Sequence, residues 1–172
     1  MMNGNEYYMH KALELAKRAS DSDEVPVGAV VVNQEGTIIG NGHNQVEAKK
    51  VQTAHAEVAA IEQAAQTIGD WRLDGCSIYI TLEPCRMCMG LIQLSRLSRV
   101  IYAVKSPRFG YQLDNMAISS VYKKDVYIEQ GVCAGEAQHV LKQFFQQKRE
   151  KKDECKKARS GCDREGIDRA AK

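Results

Sequence analysis

Two short motifs limit the folds open to this chain: Thr53-Ala54-His55-Ala56-Glu57-Val58 and, about thirty residues on, Pro84-Cys85-Arg86-Met87-Cys88. His-x-Glu alone is common, whereas Cys-x-x-Cys directly after proline is rare. Each motif stands at the expected start of a helix. If His55, Cys85 and Cys88 hold one ion, two helix N-termini must converge on a single point. An imidazole and two thiolates suit Zn2+, one per chain. Three protein ligands leave the fourth tetrahedral position to water, the pattern of a catalytic site rather than a closed structural one. Glu57, two residues from His55, stands where a general acid/base could reach that water.

The apolar runs are short. Val27–Val32 has strand length, far below the roughly 20 residues of a membrane-spanning helix, and no membrane association is expected. Met9, Leu13 and Ala16 recur at helical spacing, so the N-terminus reads as an amphipathic helix rather than a signal peptide. The expected compartment is the cytoplasm, where disulfides are rare. The six cysteines then read as metal ligands and free thiols: Cys76 and Cys133 buried, Cys155 and Cys162 exposed. With 44% hydrophobic residues, residues 1–150 suffice for one domain. A basic tail follows at 151–172, whose composition permits a helical extension or disorder. From Lys148 to Lys172 there are ten Lys or Arg against six Asp or Glu, while the rest of the chain is slightly acidic. Such clustering suits a phosphate backbone or a solvated helix equally well.

Local patterns give an order of elements. Helices are expected over residues 6–19, from a Thr53 N-cap to Gly69 with an inner stripe of Val58, Ile61, Ala65 and Ile68, after Pro84 in a first turn, and over 136–148. Strands are expected at 27–32, 37–40, 76–81, 100–104 and 125–129, with loops at 42–53 and 106–120. Alternation of this kind predicts an α/β fold with helices on both faces of the sheet.

H-x-E with P-C-x-x-C is the signature of zinc-dependent nucleobase deaminases. Ala12-Leu-Glu-Leu-Ala-Lys-Arg18, Glu24-Val-Pro-Val-Gly-Ala29, Thr53–Glu57, Thr81-Leu-Glu-Pro-Cys85 and Phe144-Phe145 narrow the likeness. The chain resembles the bacterial-type tRNA adenosine deaminases, the TadA family, from about Tyr7 to Arg149. That resemblance implies a three-layer α/β/α cytidine-deaminase-like fold with a five-stranded mixed sheet, a homodimer, and conversion of a tRNA anticodon's wobble adenosine to inosine. It implies His55, Cys85 and Cys88 as zinc ligands and Glu57 as proton shuttle. Asn44 would meet the flipped nucleotide, Val27 and Ala56 would line the base pocket, and Phe144, Phe145 and the basic residues after them would lie against the anticodon stem-loop.

One stretch departs from the family. Where its members carry an Asp and a small Gly-rich loop, this chain has Ser106-Pro-Arg-Phe-Gly-Tyr-Gln-Leu-Asp114. Arg108, Phe109 and Tyr111 could contact phosphate and bases, or the loop could serve packing or a dimer interface. His43 could shape the pocket rim but is not expected to be a ligand. Phe144 and Phe145, adjacent on a helix, cannot both face one core; one should pack and the other remain free. Two other functions use the same motifs. One is deamination of a free nucleobase or nucleoside of the guanine or cytidine type. The other is a noncatalytic zinc-stabilised RNA-binding module, in which Glu57 would have no use.

Overall fold

The structure is a computed structural model that describes residues 4–111 and 126–165. Five strands form one mixed sheet in the order β2-β1-β3-β4-β5. They are β1 (Gly28–Val32), β2 (Ile38–His43), β3 (Ser77–Leu82), β4 (Arg99–Val104) and β5 (Tyr127–Gln130). β1 runs antiparallel to both β2 and β3, and β3, β4 and β5 run parallel. The expected fifth strand is thus displaced to Tyr127–Gln130, and the part of the 106–120 loop beyond Tyr111 lies outside the described residues.

Because side chains alternate along a strand, the sheet feeds two cores. Ala29, Val31, Ile78, Ile80, Val100 and Tyr102 face α3 (Ala56–Ile68) and α4 (Arg86–Leu94). Val30, Val32, Tyr79, Ile101 and Ala103 face the layer formed by α1 (Gly4–Asp21) and α5 (Ala134–Glu165). The result is a three-layer α/β/α arrangement. Its central strands are buried on both sides, which is why they read as unbroken apolar runs. Each fully buried Ile or Val there contributes about 1.5–3 kcal/mol relative to exposure.

The buried stripe of α3 is Ala56, Ala60, Ile61 and Ala64, whereas Ile68 is exposed and Val58 and Ala65 are only partly covered. The expected stripe was rotated because it followed the larger side chains. Gly40 and Gly42 of β2 lie directly under the helix, and a Cβ on Gly42 would drive into the Ala56 carbonyl oxygen. The helix sits so close that only alanine fits opposite these two glycines. Gly42→Ala is expected to cost about 1–3 kcal/mol by overpacking, roughly 2–12 °C in melting midpoint for a chain this size. Gly90→Ala, in the middle of α4 where an added Cβ meets nothing within 4 Å, should instead hold or raise the midpoint in the same melts, since alanine favours a helix interior over glycine by about 1 kcal/mol.

Other boundaries differ from expectation. His55, not Thr53, is the N-cap of α3, and Cys85 is the N-cap of α4, so Pro84 precedes the helix instead of occupying its first turn. A four-residue helix, α2 (Val46–Lys49), interrupts the expected loop. The last helix continues past Lys148 to Glu165. Phe144 is buried and Phe145 is 45% exposed. Lys148 caps the Phe144 ring at 5.4 Å and pairs with Asp23 at 2.6 Å, tying α5 to the turn after α1. Cys76 is in the core, but Cys133 is only half-buried, with its sulfur 4.0 Å from His10 Nε2. The side chain of Cys162 lies outside the described residues.

Candidate active site

Both motifs reach the same end of the sheet. β1 begins there, and β2, β3 and β4 end there. The chain leaves β3 through Glu83-Pro84 into α4, and α3 begins one layer above β2. His55 and Cys85 hold extended backbone conformations (φ −79°, ψ 154° and φ −73°, ψ 172°) with no side-chain cap hydrogen bond. Their side chains turn toward each other instead of capping. His55 Nδ1 lies 3.8 Å from Cys85 Sγ and 3.4 Å from Cys88 Sγ. Tetrahedral zinc, with bonds of about 2.3 Å to sulfur and about 2.0 Å to nitrogen, requires sulfur–nitrogen edges of about 3.6 Å. The three donor atoms therefore fit Zn2+. Among the described residues no fourth His, Cys, Asp or Glu joins this cluster.

The three donor groups are strongly coupled to one another. The hydrogen bonds from Cys88 and His55 hold the Cys85 thiol down to about 4, while the proton shared with Cys85, together with burial, pushes Cys88 well up. One thiolate is thus stabilised where two helix N-termini present their free N–H groups. His55 is raised by its hydrogen bond to Cys85. Glu57, in the first turn of α3, is 4% exposed, and burial raises its carboxyl group above the ordinary range. It lines the same cavity as His55 and Cys85.

That cavity has a volume of about 680 Å3, several times that of a purine base. Val27 and Asn44 border it, as do Leu82 and Gly110. Ala56 does not; its side chain is fully buried beneath the wall, against β2. Phe144 and Phe145 lie on α5, away from the cavity. His43, at the end of β2, is not a ligand in the cluster.

The departing loop divides into two parts. Tyr111 is 7% exposed and packs in the core beside α3 and α4, so it is a packing residue and not a surface for RNA. Arg108 and Phe109 remain at the cavity mouth, Phe109 with 74% of its surface exposed. The loop is fastened from beneath. Ser106 N–H donates to the buried Glu83 carboxylate at 2.9 Å, and Tyr111 N–H donates to the Pro84 carbonyl at 3.1 Å. A Cβ on Gly110 would strike the Glu83 carboxylate. The rim and the Pro84-Cys85 ligand loop are therefore one hydrogen-bonded unit. Glu24 and Glu83, both buried at the site, lie inside the Glu-Val-Pro-Val-Gly-Ala and Leu-Glu-Pro-Cys runs, but no spacing rule marks a lone Glu as buried.

Residues 2–104 match the cytidine and deoxycytidylate deaminase zinc-binding region. The chain is 37% identical over 158 residues to the tRNA-specific adenosine deaminase of Bacillus subtilis, covering 91% of this chain and 98% of that one. It superposes with a TM-score of 0.73 and 33% identity on a structure from studies of A-to-I editing by tRNA:A34 deaminases at the wobble position of transfer RNA, over 78% of this chain and 99% of that one. Guanine deaminase from Bacillus subtilis is also 33% identical, with a TM-score of 0.59 over 73% of this chain and 83% of that one.

Proposed function

Because the chain belongs to the bacterial tRNA-specific adenosine deaminases, a branch of the zinc-dependent cytidine-deaminase-like hydrolases, we propose that it converts adenosine to inosine at the wobble position of a tRNA anticodon. The observation that carries the chemistry is the meeting of His55, Cys85 and Cys88 beside a buried Glu57 at the wall of an open cavity. Bound zinc supplies a water activated as nucleophile; the residues do the rest. His55, Cys85 and Cys88 hold the ion. Glu57 takes a proton from the water as its oxygen bonds to the amine-bearing ring carbon. It delivers that proton to the adjacent ring nitrogen and then carries the remaining hydroxyl proton to the amine nitrogen, so that the C–N bond breaks, ammonia leaves and the carbonyl of inosine forms. Burial suits Glu57 to this task, since a carboxyl that is easily protonated can return what it takes. Val27 and Leu82 give the base an apolar slot, and Asn44 holds the nucleotide. Ala56 supports the slot from behind.

The breadth of the cavity favours a nucleotide within a polymer over a free base. Arg108 and Phe109 at its mouth suit a phosphate and a splayed base of single-stranded RNA. Phe145 and the basic stretch of α5 extend the contact along the stem-loop, with residues 1–150 as the catalytic domain and 151–172 as a basic extension. Arg108→Ala and Phe109→Ala are each expected to raise KM for a stem-loop about tenfold, in line with the roughly 1–3 kcal/mol of base stacking on an aromatic ring. Zinc content should not change, and Tyr111→Phe should leave KM alone. Among the described residues no helix is long and apolar enough to cross a membrane. We place the enzyme in the cytoplasm as a homodimer, with exposed Met87 and Leu94 of α4 as apolar surface for a second copy; sedimentation at micromolar concentration measures that state.

The likeness to guanine deaminase sets the comparison to make. A short anticodon stem-loop with adenosine at the wobble position is incubated with the zinc-loaded protein, alongside free guanine, adenosine and cytidine. Inosine at that position alone is the expected product. Ammonia from guanine with an unchanged RNA would overturn the tRNA substrate while leaving the zinc chemistry in place.

A further inference from the structure

Glu24 is 1% exposed, at the inner wall of the cavity, and its carboxylate is spent on two neighbours. Oε1 accepts the Ala48 backbone N–H of α2 at 2.7 Å, and Oε2 accepts Asn44 Nδ2 at 3.1 Å. The chain puts it there deliberately. α1 ends at Asp21, Asp23 takes a left-handed conformation (φ 63°), and Glu24 N–H returns to the Ala19 carbonyl at 3.0 Å, which turns its side chain inward. A buried carboxylate costs free energy unless it is hydrogen-bonded, and here each oxygen has a donor that an apolar residue could not meet.

Its effect on Asn44 follows from donor and acceptor counting. An ionised carboxylate only accepts, whereas a primary amide both donates and accepts. Glu24 therefore fixes which end of the Asn44 amide faces it: the NH2 turns to Glu24, and Oδ1 is left without a side-chain or backbone partner among the described residues. Building on the function proposed above, we infer that Glu24 is a positioning residue that sets Asn44 as an obligate acceptor, so that the site selects a nucleotide presenting a hydroxyl or N–H donor at that point.

In Glu24→Gln the Ala48 N–H still demands the Gln oxygen, so the Gln NH2 faces Asn44. Two NH2 groups cannot pair, and the Asn44 amide must turn over, aiming a donor into the cavity. KM for the stem-loop, and its Kd in the deamination-deficient Glu57→Gln background, should rise about 10- to 100-fold, as for a buried donor left facing a donor. Asn44→Asp alone should be equally poor, because two carboxylates then face each other. The double variant Glu24→Gln/Asn44→Asp restores the pair in reverse: the Gln NH2 donates to one Asp oxygen and the other faces the cavity as an acceptor. It should recover most of the loss, a rescue that a merely structural role for Glu24 does not produce. Zinc content and melting midpoint are measured on every variant.

Wild-type KM in Glu24→Gln, or a double variant no better than the worse single, would overturn the inference. If the wild-type protein ignores RNA but deaminates guanine, the tRNA substrate falls on its own. The same four proteins assayed with guanine then decide whether Asn44 must be an acceptor.

Discussion

Replacing Glu57 with Gln is expected to reduce turnover about 10³-fold, within the range for loss of a positioned general acid/base, with zinc still bound at one per chain. The substitution keeps the volume of a side chain that is 4% exposed in the first turn of α3. It removes a buried carboxyl group that desolvation already pushes toward its protonated form. Folding should therefore not suffer, and the melting midpoint should equal or exceed that of the parent. The discriminating measurement is single-turnover deamination with metal content on the same sample. A variant that keeps zinc and loses turnover assigns Glu57 to proton transfer and rules out a zinc-stabilised binding module. A variant within threefold of the parent would remove Glu57 from the chemistry.

Cys88→Ser should act on the metal itself. Cys88 is fully buried at the third position of α4, with its sulfur 3.4 Å from His55 Nδ1. A serine hydroxyl there is a far poorer zinc ligand than a thiolate, and two donors do not hold the ion against dialysis. Zinc should fall from one per chain to below about one tenth, with activity at the level of the buffer. Because Cys88 belongs to both the site and the packing of α4, the apo variant should melt several degrees below the parent. Removing zinc from the parent with a chelator should give a comparable drop that is reversed by adding Zn2+ under reducing conditions. A Cys88→Ser protein that retains stoichiometric zinc would show that the ligand set is wrong.

The core of this site could be read from its letters because its chemistry is carried by residue types that rarely coincide. Two thiols spaced by two residues after proline, and an imidazole two residues before a carboxylate, constrain one another. The sheet was equally legible, since its central strands are buried on both faces and read as continuous apolar runs. What could not be read was set by close approach. The stripe of α3 was misjudged because Val58 and Ile68 outrank alanine in hydrophobicity, while Gly40 and Gly42 across the layer leave room for alanine only. Tyr111 was grouped with Arg108 and Phe109 as an aromatic neighbour, yet the bond from its N–H to Pro84 turns it inward. Glu24 and Glu83 carry no signal of their own, for burial of a carboxylate becomes visible only with its donors in place.

Among the described residues, the cavity-lining segments gather at one end of the sheet, and the opposite end holds connections. The turn between β1 and β2 is among them, closed by Asn33 N–H to the Thr37 carbonyl at 3.0 Å, with Gln34, Glu35 and Gly36 exposed. A fluorophore or surface linker attached at Glu35 would sit a full strand length from the chemistry, on a loop tip of the sort that tolerates additions. The protein can thus be immobilised or labelled with its mouth facing solution, so that a large, folded nucleic acid can approach it unobstructed.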